Sequence, residues 1–237
     1  MILLLLAAFA AHEGEVEKLF SAGKVLTALS VLIEQKRSRG EPVPEELEKR
    51  LAAAQEDFLA GRGGEFHRYR VKAGETLWEI GRRLHVTPEF LARINRIKDP
   101  RRLRAGRFIK VVEGPFSCRI SLSQRKLRVY LGRALVREYD ICVGTPETPT
   151  PTGWFRVREK VKNPRYDRGG EHYGPGDPRN PAGTRWIRLK GPIGIHGTND
   201  PETIGKAASD GCIRLKNRDI EELFDLLVIG STVEINP

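Results

Sequence analysis

The sequence predicts an α+β chain in three parts: an N-terminal helical unit, a small β-α-α-β module and a larger β-rich domain. Three observations predict it. Apolar residues recur at helical spacing through the first sixty or so positions, a strand–helix–helix–strand pattern occupies residues 67–113, and two-residue alternation dominates from residue 117 onward. At 237 residues the chain is long enough to bury a core in each larger part.

Residues 1–11 form an apolar run containing Ala8-Phe9-Ala10, small residues of the kind that flank a secretory cleavage site. The run falls short of the roughly 20 residues that span a bilayer, so no stable membrane span is expected. It lacks the basic start of an export signal, and it reads equally as such a signal or as a buried first helix. Over residues 12–62, Val16, Leu19, Phe20, Leu26, Leu29, Leu32 and Ile33 mark a helical pattern interrupted at Gly23. Pro42-Val43-Pro44 breaks it, and Pro44 suits the first turn of another helix carrying Leu47, Leu51 and Phe58. Gly61-Arg62-Gly63-Gly64 is the expected hinge.

The module opens with a strand at Tyr69-Arg70-Val71 and turns at Gly74. A capped helix starts near Glu75-Thr76, a second helix at Thr87-Pro88, and Ile109-Lys110-Val111 closes the unit as a strand. Its small core is expected from Leu77, Ile80, Leu84, Phe90, Leu91 and Ile94. Beyond Gly114-Pro115, strands are expected at Ile120 and Leu122, at Leu127, Val129 and Leu131, and from Leu135 towards Val143. Residues 163–183, rich in Gly, Pro and charge, are too long for an ordinary connection and read as a lid or mobile loop bearing His172 and Tyr173. Asn217 is placed to cap a helix with Ile220, Leu223, Phe224 and Leu227 on one face, ended by Gly230, and residues 232–235 form a last strand.

The formal charge of +10 is uneven, with +8 falling in residues 61–116. A basic middle attracts polyanions. Here the cations are scattered through an apolar-periodic pattern with few aromatics to stack bases, so nucleic acid is not an expected partner. Cys118 and Cys142 fall in expected strands and read either as a disulfide or as two buried thiols. No Cys-x-x-Cys or His-Glu-x-x-His run supports a metal site, and no metal or cofactor is expected.

The most informative stretch is residues 195–215, which sets His196 sixteen positions before Cys212 in a frame of small and hydroxylated residues. A cysteine of ordinary pKa is only a few per cent thiolate at neutral pH and needs a proton acceptor. His196 is the candidate acceptor, because a loop of that length can bring an imidazole back over the sulfur. Gly211 suits a tight turn whose amide, with that of Cys212, can face an oxyanion. Ser209 can hold the turn or hydrogen-bond the histidine, and Arg214 adds a permanent charge.

His-Gly-Thr-Asn at residues 196–199, then Ser-x-Gly-Cys-Ile-Arg-Leu at residues 209–215, resembles the signature of the L,D-transpeptidase catalytic domain. Val143-Gly144, the segment 148–155 and the segment 180–186 resemble the family's flanking sequences, so the resemblance covers residues 117–236. It implies acyl transfer between peptidoglycan stem peptides through a cysteine thioester, with Cys212, His196, Gly197, Ser209, Gly211 and Arg214 at the site. Gly197 enters through its carbonyl, as orienter of the histidine, and Trp186 is expected to line the cleft. Asp210 stands where histidine or lysine is common in the family, and its side chain is expected to point away from the sulfur, since a carboxylate would raise the thiol pKa.

Residues 67–113 resemble a LysM module, a binder of N-acetylglucosamine-containing glycans. The resemblance implies a groove formed by Gly74, Glu75, Thr76 and Leu77 on one side and Asn95, Arg96 and Ile97 on the other. Residues 96–104 are more basic than is usual there. The partners implied are peptidoglycan glycan strands and stem peptides, in an extracytoplasmic location, which favours the export reading of residues 1–11. Water as acceptor would make the same site an L,D-carboxypeptidase, and a purely wall-binding role is the third reading.

Overall fold

The computed structural model describes residues 13–168 and 170–237, and the expectations for residues 1–11 lie outside the described residues. The chain divides into two units. One comprises the described residues up to Leu84 together with Pro88–Gly114 and Leu131–Val136, and the other comprises His85–Thr87, Pro115–Tyr130 and Arg137–Pro237.

In the first unit, helices α1 (Glu13–Ser21), α2 (Val25–Ser38) and α3 (Glu45–Leu59) follow the apolar spacing. Gly23, at φ +73°, makes the turn between α1 and α2. Val16, Ala28 and Val31 are buried together, with Leu19, Phe20 and Leu32 packed against them. Pro44 stands at the N-cap of α3, one position before the expected first turn.

Next come β1 (His67–Arg70), α4 (Leu77–Leu84), α5 (Pro88–Ile94), a 3₁₀ turn (Pro100–Arg102) and β2 (Phe108–Val111). The two strands pair antiparallel, from His67 opposite Val111 to Arg70 opposite Phe108. Thr76 and Glu79 form a reciprocal capping box at the start of α4. The Glu79 amide donates to Thr76 Oγ1 at 3.2 Å, and the Thr76 amide donates to Glu79 Oε2 at 2.8 Å.

The glycine-rich junction is packed rather than hinged. A Cβ on Gly61 would sit 2.1 Å from the Ile94 carbonyl oxygen, and one on Gly64 would sit 2.3 Å from that of Gly23. Lys110 Nζ donates to the Gly61 carbonyl at 2.6 Å. Lys24, at the N-cap of α2, makes no side-chain cap bond, and Glu65 Oε1 instead accepts from the Leu26 amide at 2.9 Å and the Thr27 amide at 3.3 Å. Phe58, fully buried, stacks on Phe66 with ring centroids 5.0 Å apart and on Phe90 at 5.9 Å. The helices and the module therefore share one core. Gly61→Ala, which adds a clash at a left-handed backbone position (φ +72°), is expected to destabilise this unit by about 3 kcal/mol in denaturant unfolding.

From Phe116 onward the chain forms β3 (Phe116–Ser121), β4 (Lys126–Leu131), β5 (Ala134–Asp140), β6 (Val143–Gly144), β7 (Gly153–Arg156), β8 (Glu159–Lys162), β9 (Tyr166–Arg168), β10 (Glu171–Tyr173), β11 (Arg185–Lys190), β12 (Ile193–His196), β13 (Ala207–Ser209), β14 (Ile213–Arg214), α6 (Asn217–Leu226) and β15 (Thr232–Asn236), the end of β4 and the start of β5 being counted with the first unit. A five-stranded sheet runs β5-β4-β3-β15-β7, with the last strand parallel to β3 and antiparallel to β7. Alternation buries Cys118, Ile120, Val233 and Ile235 on one face. A four-stranded sheet runs β14-β12-β11-β8, and α6 packs on β11 and β12 with Ile220, Leu223, Phe224 and Leu226 buried.

Residues 163–183, read as a lid or mobile loop, contain the β9–β10 hairpin. Buried Asn180 ties the segment down, its Nδ2 donating to the Pro164 carbonyl at 2.7 Å and its Oδ1 accepting from the Ala182 amide at 2.8 Å. Among the described residues no helix is long and apolar enough to cross a membrane.

Candidate active site

Strand pairing assembles the site. β11 runs antiparallel to β12 and sets Trp186 opposite His196, while β12 runs parallel to β14 with Ile195 beside Ile213 and His196 beside Arg214. Ile195 and Ile213 are fully buried. Because side chains alternate along a strand, Cys212, one residue ahead of β14, falls on the same side as His196. Both line a cleft of about 540 Å³.

The loop before Cys212 is pinned from several directions. β13 pairs with β6, placing Ser209 beside Gly144, and Cys142 and Arg214 exchange both backbone hydrogen bonds, at 2.9 and 3.0 Å. The Ser209 carbonyl accepts from the Thr145 amide at 3.1 Å and from Thr148 Oγ1 at 3.0 Å. Ser209 Oγ donates to the Cys212 carbonyl at 2.5 Å, so of its two expected roles it holds the turn. Gly211 makes that turn at φ +92°, where a Cβ would lie 3.3 Å from Ile193 Cδ1 and 3.4 Å from the Pro149 carbonyl oxygen. Thr148 and Pro149, at the start of the segment 148–155, thus lie against the cysteine loop.

His196 is only 6% exposed, and its Nδ1 lies 2.6 Å from the Gly197 carbonyl oxygen. A carbonyl only accepts, so Nδ1 carries the proton and a neutral ring leaves Nε2 as acceptor. The Trp186 ring stacks on the imidazole, with centroids 5.0 Å apart and planes inclined by 18°. Gly194 lets the indole lie flat, since a Cβ there would come 2.9 Å from Trp186 Cζ2. Burial pushes the His196 pKa down to about 4, the Arg214 charge acts in the same direction, and the Gly197 hydrogen bond opposes both. Cys212 Sγ lies 3.4 Å from the Pro192 carbonyl oxygen, which a thiol can donate to and a thiolate cannot. Neutral His196 is therefore placed to accept a proton.

That depressed pKa has a stability consequence. Below the ordinary value of 6.5 the unfolded chain takes up a proton that folded His196 refuses until about pH 4. Stability contributed by neutral His196 is thus fully present above pH 6.5 and is lost as pH falls towards 4, by about 2 kcal/mol between pH 7 and pH 5. Urea unfolding at the two pH values should show the difference, and His196→Gln should remove that increment.

Asn217 was expected to cap its helix. It is instead the first helical residue, Lys216 occupies the N-cap, and the Asn217 side chain reaches across the fold. Its Oδ1 accepts from the Thr184 amide at 3.1 Å and the Thr198 amide at 3.2 Å. Cβ atoms on Gly183 or Gly197 would each fall 2.2 Å from that oxygen, so both glycines are required for the approach. This pin, beside the carbonyl that holds His196, escaped the sequence reading.

Further cleft walls also escaped it. Pro164, Arg165, Tyr166 and Asp167 line the cleft, as do Arg188 and Ile193. Asp210, expected to turn away from the sulfur, is an exposed residue that lines the same cleft as Cys212. His172 sits on β10 with Nδ1 2.7 Å from Asp167 Oδ1 and is exposed. Arg214 lines the cleft and donates from Nη1 to the Ala208 carbonyl at 3.2 Å. Cys118 and Cys142 are buried thiols rather than a disulfide, and burial pushes the Cys118 pKa far up.

In the module, the expected groove residues divide. Gly74, Thr76 and Arg96 are exposed, with Gly74 at φ +79° and Arg96 at φ +53°. Leu77 is 1% exposed and belongs to the core, so it offers a glycan no surface. Glu75 is committed within the module, accepting from Tyr69 Oη at 2.7 Å, Arg83 Nη1 at 2.8 Å and the Lys72 amide at 2.8 Å. Desolvation alone would raise its pKa, and these donors together bring it down to about 2. The Asn95 amide is likewise spent, its Nδ2 on the Leu91 and Lys110 carbonyls and its Oδ1 on the Lys110 amide. Ile97 is half-buried, its amide bonded to the Ala92 carbonyl.

Residues 116–235 match the model of the L,D-transpeptidase catalytic domain, and residues 69–112 match that of the LysM domain. The chain is 38% identical over 177 residues to a Bacillus licheniformis protein named "Putative L,D-transpeptidase YkuD", covering 71% of this chain and 98% of that protein. The Bacillus subtilis protein of the same name is 35% identical over 176 residues, with the same coverage. Among solved structures, an L,D-transpeptidase from Mycobacterium smegmatis is 17% identical with a TM-score of 0.46, covering 56% of this chain and 64% of that one. With the catalytic-domain match spanning half the chain and a relative matched almost end to end, the chain belongs to the L,D-transpeptidase family, its catalytic domain preceded by a LysM domain.

Proposed function

We propose that the cleft performs acyl transfer between peptidoglycan stem peptides, with Cys212 as nucleophile and His196 as its acid–base partner. The observation that carries this reading is the His196 Nδ1 contact with the Gly197 carbonyl, which leaves Nε2 as a proton acceptor in the cleft that Cys212 shares. A backbone carbonyl thus takes the orienting role that an acidic side chain fills in other nucleophile–histidine pairs.

Cys212 Sγ attacks the carbonyl on the L side of the bond between a diamino acid and the terminal D-alanine. An S–C bond forms as the C–N bond breaks, and the thiol proton passes through His196 Nε2 to the leaving amine. The amides of Gly211 and Cys212 hold the oxyanion. The side-chain amine of a neighbouring stem then attacks the thioester, loses a proton to His196, and the sulfur is reprotonated. Basic Arg165, Arg188 and Arg214 beside acidic Asp167 and Asp210 in the cleft wall suit a substrate carrying both carboxylates and amines. The LysM domain holds the glycan through the exposed positions Gly74, Thr76 and Arg96, and the protein works outside the cytoplasm, where that polymer lies.

Incubation with a disaccharide-tetrapeptide, followed by mass spectrometry of the products, tests the reading. Cross-linked dimers joined through two diamino acids are expected. Tripeptide alone would make water the acceptor and the enzyme an L,D-carboxypeptidase, and no product would overturn the catalytic reading.

A further inference from the structure

The sheet of the LysM module presents a cationic face that its own folding opposes. The β1–β2 register pairs Arg68 with Lys110 and Arg70 with Phe108, and alternation sets all four on one side, away from buried Ile109. All four are exposed. Like charges directly opposite one another weaken an antiparallel pair, so Arg68 against Lys110 is a cost to the module. Lys110 recovers part of it through its bond to the Gly61 carbonyl. The Arg68 guanidinium lies 4.3 Å above the Phe108 ring, and that of Arg70 comes within 3.9 Å of where a Cβ on Gly106 would sit.

The loop feeding β2 adds more charge of the same sign. Residues 96–107 hold six cations against one acid, Asp99, which Arg101 and Arg102 share at 2.9 and 3.5 Å. Among the described residues, Arg68, Arg70, Arg96, Arg104 and Arg107 form no ion pair with a carboxylate. Five of the six loop cations are arginines, whose planar fork suits bidentate binding of phosphate. Arg68 covers a stacking face of Phe108, which disfavours nucleobases.

We propose that this sheet face and the 96–107 loop bind a polyanionic phosphodiester polymer, at a site separate from the catalytic cleft and independent of its chemistry. The probe is fluorescent poly(glycerol phosphate), titrated with the full chain and followed by anisotropy, with single-stranded DNA and polyglutamate of equal charge as comparisons. Binding to poly(glycerol phosphate) should be the tightest of the three. It should weaken about twentyfold between 50 and 200 mM salt if roughly three phosphates are engaged. Arg68→Gln/Arg70→Gln should lower affinity about tenfold, and so should Arg101→Gln/Arg102→Gln, with melting curves and turnover of a soluble donor unchanged. No binding, an affinity unmoved in both variants, or tighter binding to DNA or polyglutamate would overturn the proposal.

Discussion

Cys212→Ala is expected to lower turnover of a tetrapeptide donor by on the order of 10⁴-fold or more, since removing the nucleophile leaves only binding and oxyanion stabilisation. The fold should tolerate the change. Cys212 is half-exposed, and its loop is held by the Ser209 and Thr148 hydroxyls, which donate to the Cys212 and Ser209 carbonyls. Melting temperature should therefore stay within a few degrees. Cys118 and Cys142 cannot substitute, being buried at 1% and 0% exposure. Limited alkylation of the native protein should accordingly modify Cys212 alone, which peptide mapping would report.

Asn217→Ala should be the most damaging change away from the reacting atoms. It leaves the Thr184 and Thr198 amides without their shared acceptor beside Gly183 and Gly197, a loss of about 3 kcal/mol. In a unit of this size that lowers the melting temperature by roughly 10 °C. Asn217 touches no reacting atom and acts as a positioning residue, so the informative readout is a kinetic split. Relaxation of the Gly197 carbonyl releases His196, and kcat should fall about 10²-fold with KM little changed. Asn217→Asp keeps an acceptor at the same place and should restore much of the stability. Unchanged melting in Asn217→Ala would remove the pin from the account.

What the sequence discloses depends on how local each interaction is. The capping box of Thr76 and Glu79 spans three residues, and the helical and alternating patterns repeat within one element, so these elements are legible before folding. His196 and Cys212 stand out because a reactive pair sits in an unusual frame of small residues. The Asn217 pin joins positions 33 and 19 residues away through one side-chain oxygen, and no periodicity announces such a bond. Glycines mislead for a related reason. Gly61 and Gly64 read as a hinge, yet they are small because backbone passes within about 2.3 Å of where a side chain would begin. Leu77 read both as core and as groove, and burial decides for core. The β9–β10 hairpin was hidden by its polar composition, since its strands are only three residues long and β10 is largely exposed.

The central claim is that Cys212 carries the donor acyl group as a thioester, and intact-protein mass spectrometry tests it most directly. Protein mixed with a tetrapeptide donor and quenched in acid within the first turnovers should gain the mass of the donor less D-alanine. Peptide mapping should locate that mass on Cys212, and Cys212→Ala should gain none. Donor consumption without any adduct under rapid quench, or an adduct on another residue that persists in Cys212→Ala, would contradict the account.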